Sequence, residues 1–333
     1  MKTTNAIIMV SAPQPLLDES RGRFCIRPNR HILVTHLCVG ELYELDVQNL
    51  IATPRVTYKI PRATATLSLC PVPGLVDQYS LVTSEKSDPE NCRWDDFAVW
   101  HLDFSRGNGL KLTRRCRLAI ASFPMAYCSL DAHYSLFSDA SSARIHLLNI
   151  KTGQWSVLLT HKLEIKPVNM NESNQITQIH ATAQYIWYTI SGTGTLYRVP
   201  YNFDPVDPST PLQIRGDVEI VSDYGHSLEA FQVTADENTV FGLNSVDGSL
   251  IETDLRVGTR SEAQQHYRKS GLTGSSSIAF WNDSCGEPRL CIIYDRAASG
   301  LAGTIVSWRT IVDSMTTDIT TTITSATDSR SLL

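Results

Sequence analysis

Along the chain, short runs of apolar, β-branched and aromatic residues give way to small polar turns, and then to a second run in which apolar and polar positions alternate. A period of two puts successive side chains on opposite faces of an extended backbone, so the pattern predicts half-buried β-strands throughout. The unit returns six times. The first three copies are Leu33-Val-Thr with Glu41-Leu-Tyr-Glu-Leu-Asp46, Leu81-Val-Thr with Phe97-Ala-Val-Trp-His-Leu-Asp103, and Leu136-Phe-Ser-Asp with Arg144-Ile-His-Leu-Leu-Asn149. The others are Trp187-Tyr-Thr-Ile with Thr195-Leu-Tyr-Arg-Val-Pro200, Phe241-Gly-Leu-Asn with Ser249-Leu-Ile-Glu-Thr-Asp254, and Cys291-Ile-Ile-Tyr-Asp with Gly303-Thr-Ile-Val-Ser-Trp308. Their starts lie 48, 55, 51, 54 and 50 residues apart, the period of a four-stranded propeller blade.

The spacing therefore predicts an all-β fold, a six-bladed β-propeller with four antiparallel strands per blade, as one domain over residues 1–333. The blades are expected at about 22–60, 64–119, 122–165, 176–224, 228–270 and 274–312. A strand over residues 5–11 would complete the last blade from the other terminus, because closing the ring removes exposed sheet edges. The Thr-rich stretch 313–333 has no alternation and is expected to be a mobile tail. The longest insertion, 84–95, reads as a polar loop capping an opening.

Composition narrows the function classes. Hydrophobic residues at 42% suffice for a large core, whereas 19% charged residues and a net charge of −5 offer no basic face for nucleic acid. The five-residue apolar run Ala6–Val10 is too short for a secretory core, and no apolar stretch is long enough to insert in a membrane. The eight cysteines are scattered with no C-x-x-C pair, which suits reduced thiols in a cytoplasmic protein. A Cys285–Cys291 disulfide is the alternative, and the sequons at Asn171 and Asn282 do not overturn the cytoplasmic reading. No nucleophile elbow, H-E-x-x-H or glycine-rich phosphate loop is present; Gly274-Ser-Ser-Ser-Ile278 lacks the second glycine, and Val246-Asp-Gly-Ser249 is a hairpin turn.

In a closed ring, the residues that open each inner strand point into one mouth of the central channel. Aligned on the repeats, these are Gly22 and Arg23, Thr64 and Ala65, Met125 and Ala126, Thr177 and Gln178, Glu229 and Ala230, and Ser275 and Ser276.

At this point the chain resembles the senescence-marker/gluconolactonase-like superfamily of six-bladed propellers, in the hetero-Diels-Alderase type of fungal biosynthetic clusters. The resemblance covers about residues 20 to 310. It rests on the Leu-Val-Thr repeats, Phe97-Ala-Val-Trp-His-Leu-Asp-Phe104, Ser138-Asp-Ala, Thr189-Ile-Ser-Gly-Thr-Gly-Thr-Leu-Tyr-Arg-Val-Pro200 and Gly274-Ser-Ser-Ser-Ile-Ala-Phe280. Hydrolases of the superfamily hold calcium in the channel on Glu, Asn and Asp side chains, as a hard cation requires. The corresponding positions here are Gly22 or Arg23, Met125, Thr177 and Glu229, so the expectation is no metal and no cofactor.

What the resemblance then implies is a metal-independent cyclase. It would join a tropolone-type quinone methide to a sesquiterpene olefin such as a humulene by [4+2] cycloaddition, a reaction that needs two reactants held face to face. Arg23, Gln178 and His180 are the expected donors to the heterodiene carbonyl, and Glu229 the expected base. Thr64, Trp94, Phe123, Met125, Tyr127, Thr177, Phe231, Ser275 and Ser276 are expected to line the site for hydrophobic small-molecule substrates. Each has a plainer reading beside it: Arg23 as a bridge to a neighbouring blade, His180 as a core histidine, Glu229 as a solvated rim carboxylate. A calcium-dependent lactonase-like hydrolase and a non-catalytic binding propeller are the alternatives.

Overall fold

A computed structural model of the chain describes residues 8–11, 23–29, 31–36, 39–46, 56–88, 93–105, 109–120, 122–162, 175–190, 194–207, 210–224, 228–244, 249–256, 264–269, 275–282, 288–296 and 300–307. Every regular element among them is a strand, and every pairing is antiparallel between neighbours in the chain, apart from the two named below.

The first sheet runs from β2 (Phe24–Ile26) through β3 (His31–Thr35) and β4 (Glu41–Asp46) to β5 (Val56–Lys59), β1 being Ile8–Ser11. The second orders β6 (Ala65–Pro71), β7 (Gln78–Asp88), β8 (Arg93–Asp103) and β9 (Lys111–Leu118). The third orders β10 (Pro124–Ser129), β11 (Tyr134–Asp139), β12 (Arg144–Asn149) and β13 (Trp155–Thr160). In the fourth, β14 (Ile176–Ala181), β15 (Tyr185–Ile190) and β16 (Thr195–Phe203) are followed by a divided outer edge. There β17 (Leu212–Ile214) pairs with one half of β16 and β18 (Glu219–Asp223) with the other. The fifth orders β19 (Leu228–Val233), β20 (Thr239–Asn244), β21 (Ser249–Asp254) and β22 (Gln264–Lys269).

These five are blades laid down whole by consecutive stretches of chain, against the six expected. The sixth copy supplies only three strands, β23 (Ser275–Asn282), β24 (Pro288–Arg296) and β25 (Gly300–Ser307), and so is not a blade by itself; in its sheet β1 lies along β25, with Ile8 opposite Ile305. The stretches 5–7 and 313–333, and Cys285, lie outside the described residues.

Burial follows from blades packing face to face. Second strands are covered on both sides: β11 is buried at all six positions, whereas the outer β5 and β13 are mostly exposed. Each core cluster sits between two blades. Leu33, Leu69, Leu81 and Trp100 join the first to the second, Phe97, Leu118, Tyr127 and Phe137 the second to the third, and Trp187, Phe231 and Val240 the fourth to the fifth. Gly40 marks a tight crossing between blades, since a Cβ there would fall 1.8 Å from the carbonyl oxygen of Ala63. The innermost strands touch in the order β2, β6, β10, β14, β19.

The described residues of the insertion, 84–88 and 93–95, are not a loop. They continue β7 and β8 as a two-stranded ribbon, with Lys86 opposite Asp95 and Asp88 opposite Arg93. Lys86, Asp88, Arg93 and Asp95 are exposed there, whereas Trp94 is half-buried. No helix of the described residues is long and apolar enough to cross a membrane.

Candidate functional site

The pairing of the inner strand with its neighbour slips by one residue in the same region of five sheets. The slips fall between Thr66 and Ser68, Pro124 and Ala126, Ile176 and Gln178, Leu228 and Ala230, and Ser275 and Ser277. Such a bulge leaves one residue outside the ladder and re-aims the side chains around it. The residues left out are Leu67, Met125, Thr177, Glu229 and Ser276, four of which are positions expected from the repeat alignment. In the second blade the bulged residue is Leu67, 4% exposed. Thr64 instead closes the turn before β6, its N–H and hydroxyl both donating to Ser84 O at 2.8 and 3.1 Å.

Buried hydroxyls at the ends of the second strands serve this region, and the repeated Leu-Val-Thr pattern was the signal for them. Thr35 Oγ1 accepts the Arg23 N–H at 2.8 Å and donates to Arg23 O. Ser138 Oγ accepts the Ala126 N–H at 3.2 Å and donates to Ile176 O at 2.7 Å, tying the third blade to the fourth. Thr189 bonds Thr177 at 3.0 Å, and Thr83 accepts the Trp100 indole N–H at 3.0 Å.

Arg23, just before β2, donates from Nη2 to Thr177 O on β14 at 3.1 Å. Three steps in the order of the inner strands separate β2 from β14, so this half-buried guanidinium ties the first blade to the fourth. Met125 and Thr177 are both half-buried. The bulge exposes the Thr177 carbonyl that Arg23 takes.

Gln178 is committed elsewhere. Its Nε2 donates to Phe231 O at 2.9 Å and its Oε1 accepts the Phe231 N–H at 2.8 Å, so the amide acts as a strand-like link from β14 to β19. His180, two residues on, is half-buried and meets the Phe231 ring edge-on at 6.4 Å. Desolvation pushes it down to about 4, so the imidazole is neutral near pH 7. Among the described residues it has no hydrogen-bond partner.

Two expected lining residues belong to the core. Phe231 is fully buried among Trp187, Val240 and Ile251. Tyr127 is buried between blades, its hydroxyl bonded to Ser80 at 2.7 Å and Ser135 at 2.8 Å, and burial raises its pKa far above the usual phenol value. In each case the bulge resets the alternation, so the residue two places after the bulged position does not share its outlook. Phe123 and Trp94 meet ring to ring at 5.2 Å, both half-buried, the ribbon of the second blade resting on the start of the third. Glu229, Ser275 and Ser276 stand in β19 and β23 as expected, but their side chains lie outside the described residues, as does Gly22.

The sequence reading missed a ladder of thiols linking inner strands at a deeper level. Cys25 Sγ donates to Leu69 O at 3.5 Å, and Cys70 Sγ accepts the Ser129 N–H at 3.3 Å. Burial pushes Cys70 up to about 12 and Cys128 up to about 11, the latter offset in part by a bond with the Ala181 main chain. Cys25, Cys70, Cys116 and Cys128 are all free. Among the described residues no group of three or more His, Cys, Asp and Glu side chains is placed to hold a metal ion.

No family of known proteins matches the chain, and no curated protein does. Among solved structures it is similar to the β-propeller domain of Cps50 (Swd1) from Myceliophteria thermophila, with 10% identity over 85% of this chain and 82% of that one and a TM-score of 0.53. The chain folds as an all-β propeller with four-stranded antiparallel blades. At that identity the likeness shows the fold alone, and it carries neither the superfamily nor the activity that the sequence motifs resemble.

Proposed function

We propose that this propeller is a metal-independent cyclase. It would join a tropolone-type quinone methide to a sesquiterpene olefin such as a humulene by [4+2] cycloaddition at the channel mouth. The observation that carries the reading is the half-buried Arg23 guanidinium held on the Thr177 carbonyl of the fourth blade, at the bulge that the third blade repeats at Met125. A heterodiene carbonyl entering there exchanges one acceptor of Nη2 for another, so ligand binding strands no donor. The charged donor withdraws electron density from the diene, and Met125 packs the olefin. Neutral His180 below is a second polar handle without a protein partner among the described residues, and it offers a hydrogen bond without adding a second positive charge.

The test is incubation of purified protein with a quinone-methide precursor and a cyclic sesquiterpene olefin. Adduct formation faster than in the protein-free control, with one face preferred, is expected. Arg23→Ala should lose about 10- to 100-fold in rate, the worth of one charge-assisted hydrogen bond. An unchanged rate and an unchanged isomer ratio end the cyclase reading. The non-catalytic binding propeller then takes its place.

We also infer a six-bladed ring closed by the N-terminal strand. In support, β23 touches both β19 and β2, and β1 pairs with the outer edge of β25. Removing residues 1–11 should lower the melting temperature and expose the β25 amides to hydrogen exchange. The free thiols of Cys25, Cys70, Cys116 and Cys128 support a cytoplasmic setting.

A further inference from the structure

The outer edge of the second blade differs from the others. β9 is the longest outer strand among the described residues, and its sequence, Lys-Leu-Thr-Arg-Arg-Cys-Arg-Leu, carries four basic residues and no acidic one. No other described outer strand carries more than two basic residues, and the chain as a whole has a net charge of −5. β9 pairs only with β8. The far end of its free side is closed by the third blade, where Gly153 packs against the Arg117 carbonyl and the Trp155 indole donates to Ala119 O at 3.1 Å. Among the described residues the main chain of 111–116 bonds to β8 alone. Its outward N–H and C=O groups therefore form an open template for another strand.

Cations flank that template on both faces. Arg114 stands opposite Trp100 and Arg117 opposite Ala98, on the face towards the first blade, and Lys111 stands opposite Asp103 on the other. Arg115 is the residue that the ladder skips, and its Nη2 donates to His101 Nδ1 at 2.9 Å, which places it on the side of Lys111. A guanidinium can only donate, so the imidazole that accepts from it is neutral. Burial and the Arg115 charge also hold the His101 pKa below its ordinary value. Arg115 is thus positioned with its charge uncompensated. Lys111 has no ion pair among the described residues, whereas Arg114 and Arg117 are paired with Glu85 and Asp96. All four cations are exposed.

Fixed cations on an open edge repel a second copy of that edge, a common guard against sheet-to-sheet aggregation. The same charges select a strand of opposite sign. A strand paired to β9 alternates its side chains between two faces, with Arg114 and Arg117 along one and Lys111 and Arg115 along the other, so acidic residues at successive positions all meet a cation. We propose that residues 111–116 form a docking edge for an acidic peptide segment, which adds to the second blade as a further strand. Main-chain hydrogen bonds supply the grip, and the uncompensated Lys111 and Arg115 supply the preference for acidic side chains. The edge is the outermost strand of its blade, whereas Arg23 adjoins an innermost one, so the docking goes beyond the cyclase reading and stands or falls without it.

The probe is a fluorescein-labelled peptide, Glu-Glu-Val-Glu-Glu-Ile-Glu-Glu, added to the full chain and read by fluorescence anisotropy. It should bind about tenfold or more tighter than its counterpart with Lys for Glu, and about tenfold more weakly to the Lys111→Ser/Arg115→Ser variant. Raising NaCl from about 50 mM to about 500 mM should weaken it severalfold. The same peptide N-methylated along its backbone keeps the charges but cannot complete the ladder, and should lose about tenfold in affinity. Binding that N-methylation leaves unchanged, or that an oligothymidylate of equal charge matches, overturns strand addition. Failure of the acidic peptide to bind overturns the docking edge and leaves the cations as a guard against aggregation. The peptide series on the parent protein decides the matter even if the variant fails to fold.

Discussion

Arg27 and Glu44 meet at 2.8 Å between the first two blades, their side chains only 10% and 3% exposed. Arg27 also grips both oxygens of Asp77, at 3.0 and 2.7 Å, and lies 3.9 Å over the Phe104 ring. Glu44 receives the Tyr58 hydroxyl and contacts His31 Nδ1. This fastener lies at the far end of β2 from Arg23, and every charge in it has an opposite partner, which is the condition for burying ions at all.

Breaking one partner should therefore cost more than removing both. Glu44→Gln or Arg27→Met is expected to lower stability by about 3–5 kcal/mol, and the double variant Arg27→Met/Glu44→Leu by less than the sum of the two. Urea unfolding of the four proteins in a double-mutant cycle measures this.

The same fastener predicts acid sensitivity. Burial pushes the Glu44 carboxyl up, but the hydrogen bonds from Tyr58 and His31 and the charge of Arg27 outweigh it, so its folded pKa lies below the ordinary value. A depressed carboxyl contributes stability that is full above its unfolded pKa and is lost as pH falls through the folded one. Stability should thus drop below about pH 4 in the parent protein and less steeply in the double variant. Equal slopes in the two would remove Glu44 from the acid transition.

His180 predicts a second slope at milder pH. Its folded pKa of about 4 lies below the unfolded value of an imidazole, so the unfolded chain binds the extra proton first. Stability should therefore be full above about pH 6.5 and decline as pH falls towards 4. In His180→Phe the decline between those values should flatten, as read from thermal midpoints at half-unit intervals.

Gln178→Ala should strand the Phe231 N–H and carbonyl that the amide now satisfies, at a cost of about 1–3 kcal/mol. Gln178→Glu keeps the acceptor and loses the donor, so it should fall between the parent and the alanine variant. Chemical denaturation of the three proteins supplies the order.

Cys25, Cys70 and Cys128 should resist alkylation in the native protein, since burial raises all three thiols and the thiolate is the reactive form. Iodoacetamide labelling followed by peptide mass analysis should show them modified at the rate of unfolding. Rapid native labelling would contradict the thiol ladder.

What the chain determined by itself is the strand content, the antiparallel blade and its period. These follow from local physics: alternation specifies a half-buried strand, and small polar residues between runs specify the turns. The bulge positions were also within reach, because Met125, Thr177, Glu229 and Ser276 fall at one place in the repeat. Which side chains face the channel was decided only by the tertiary structure. A bulge adds one residue to a strand and reverses the facing of everything beyond it, so Tyr127 and Phe231, in step with the mouth by simple alternation, turn into the core. The Arg23–Thr177 bridge, the Gln178–Phe231 link and the thiol ladder join residues from blades far apart in sequence. Only the curvature of the ring brings such partners together, and nothing in the local pattern of either one records the other.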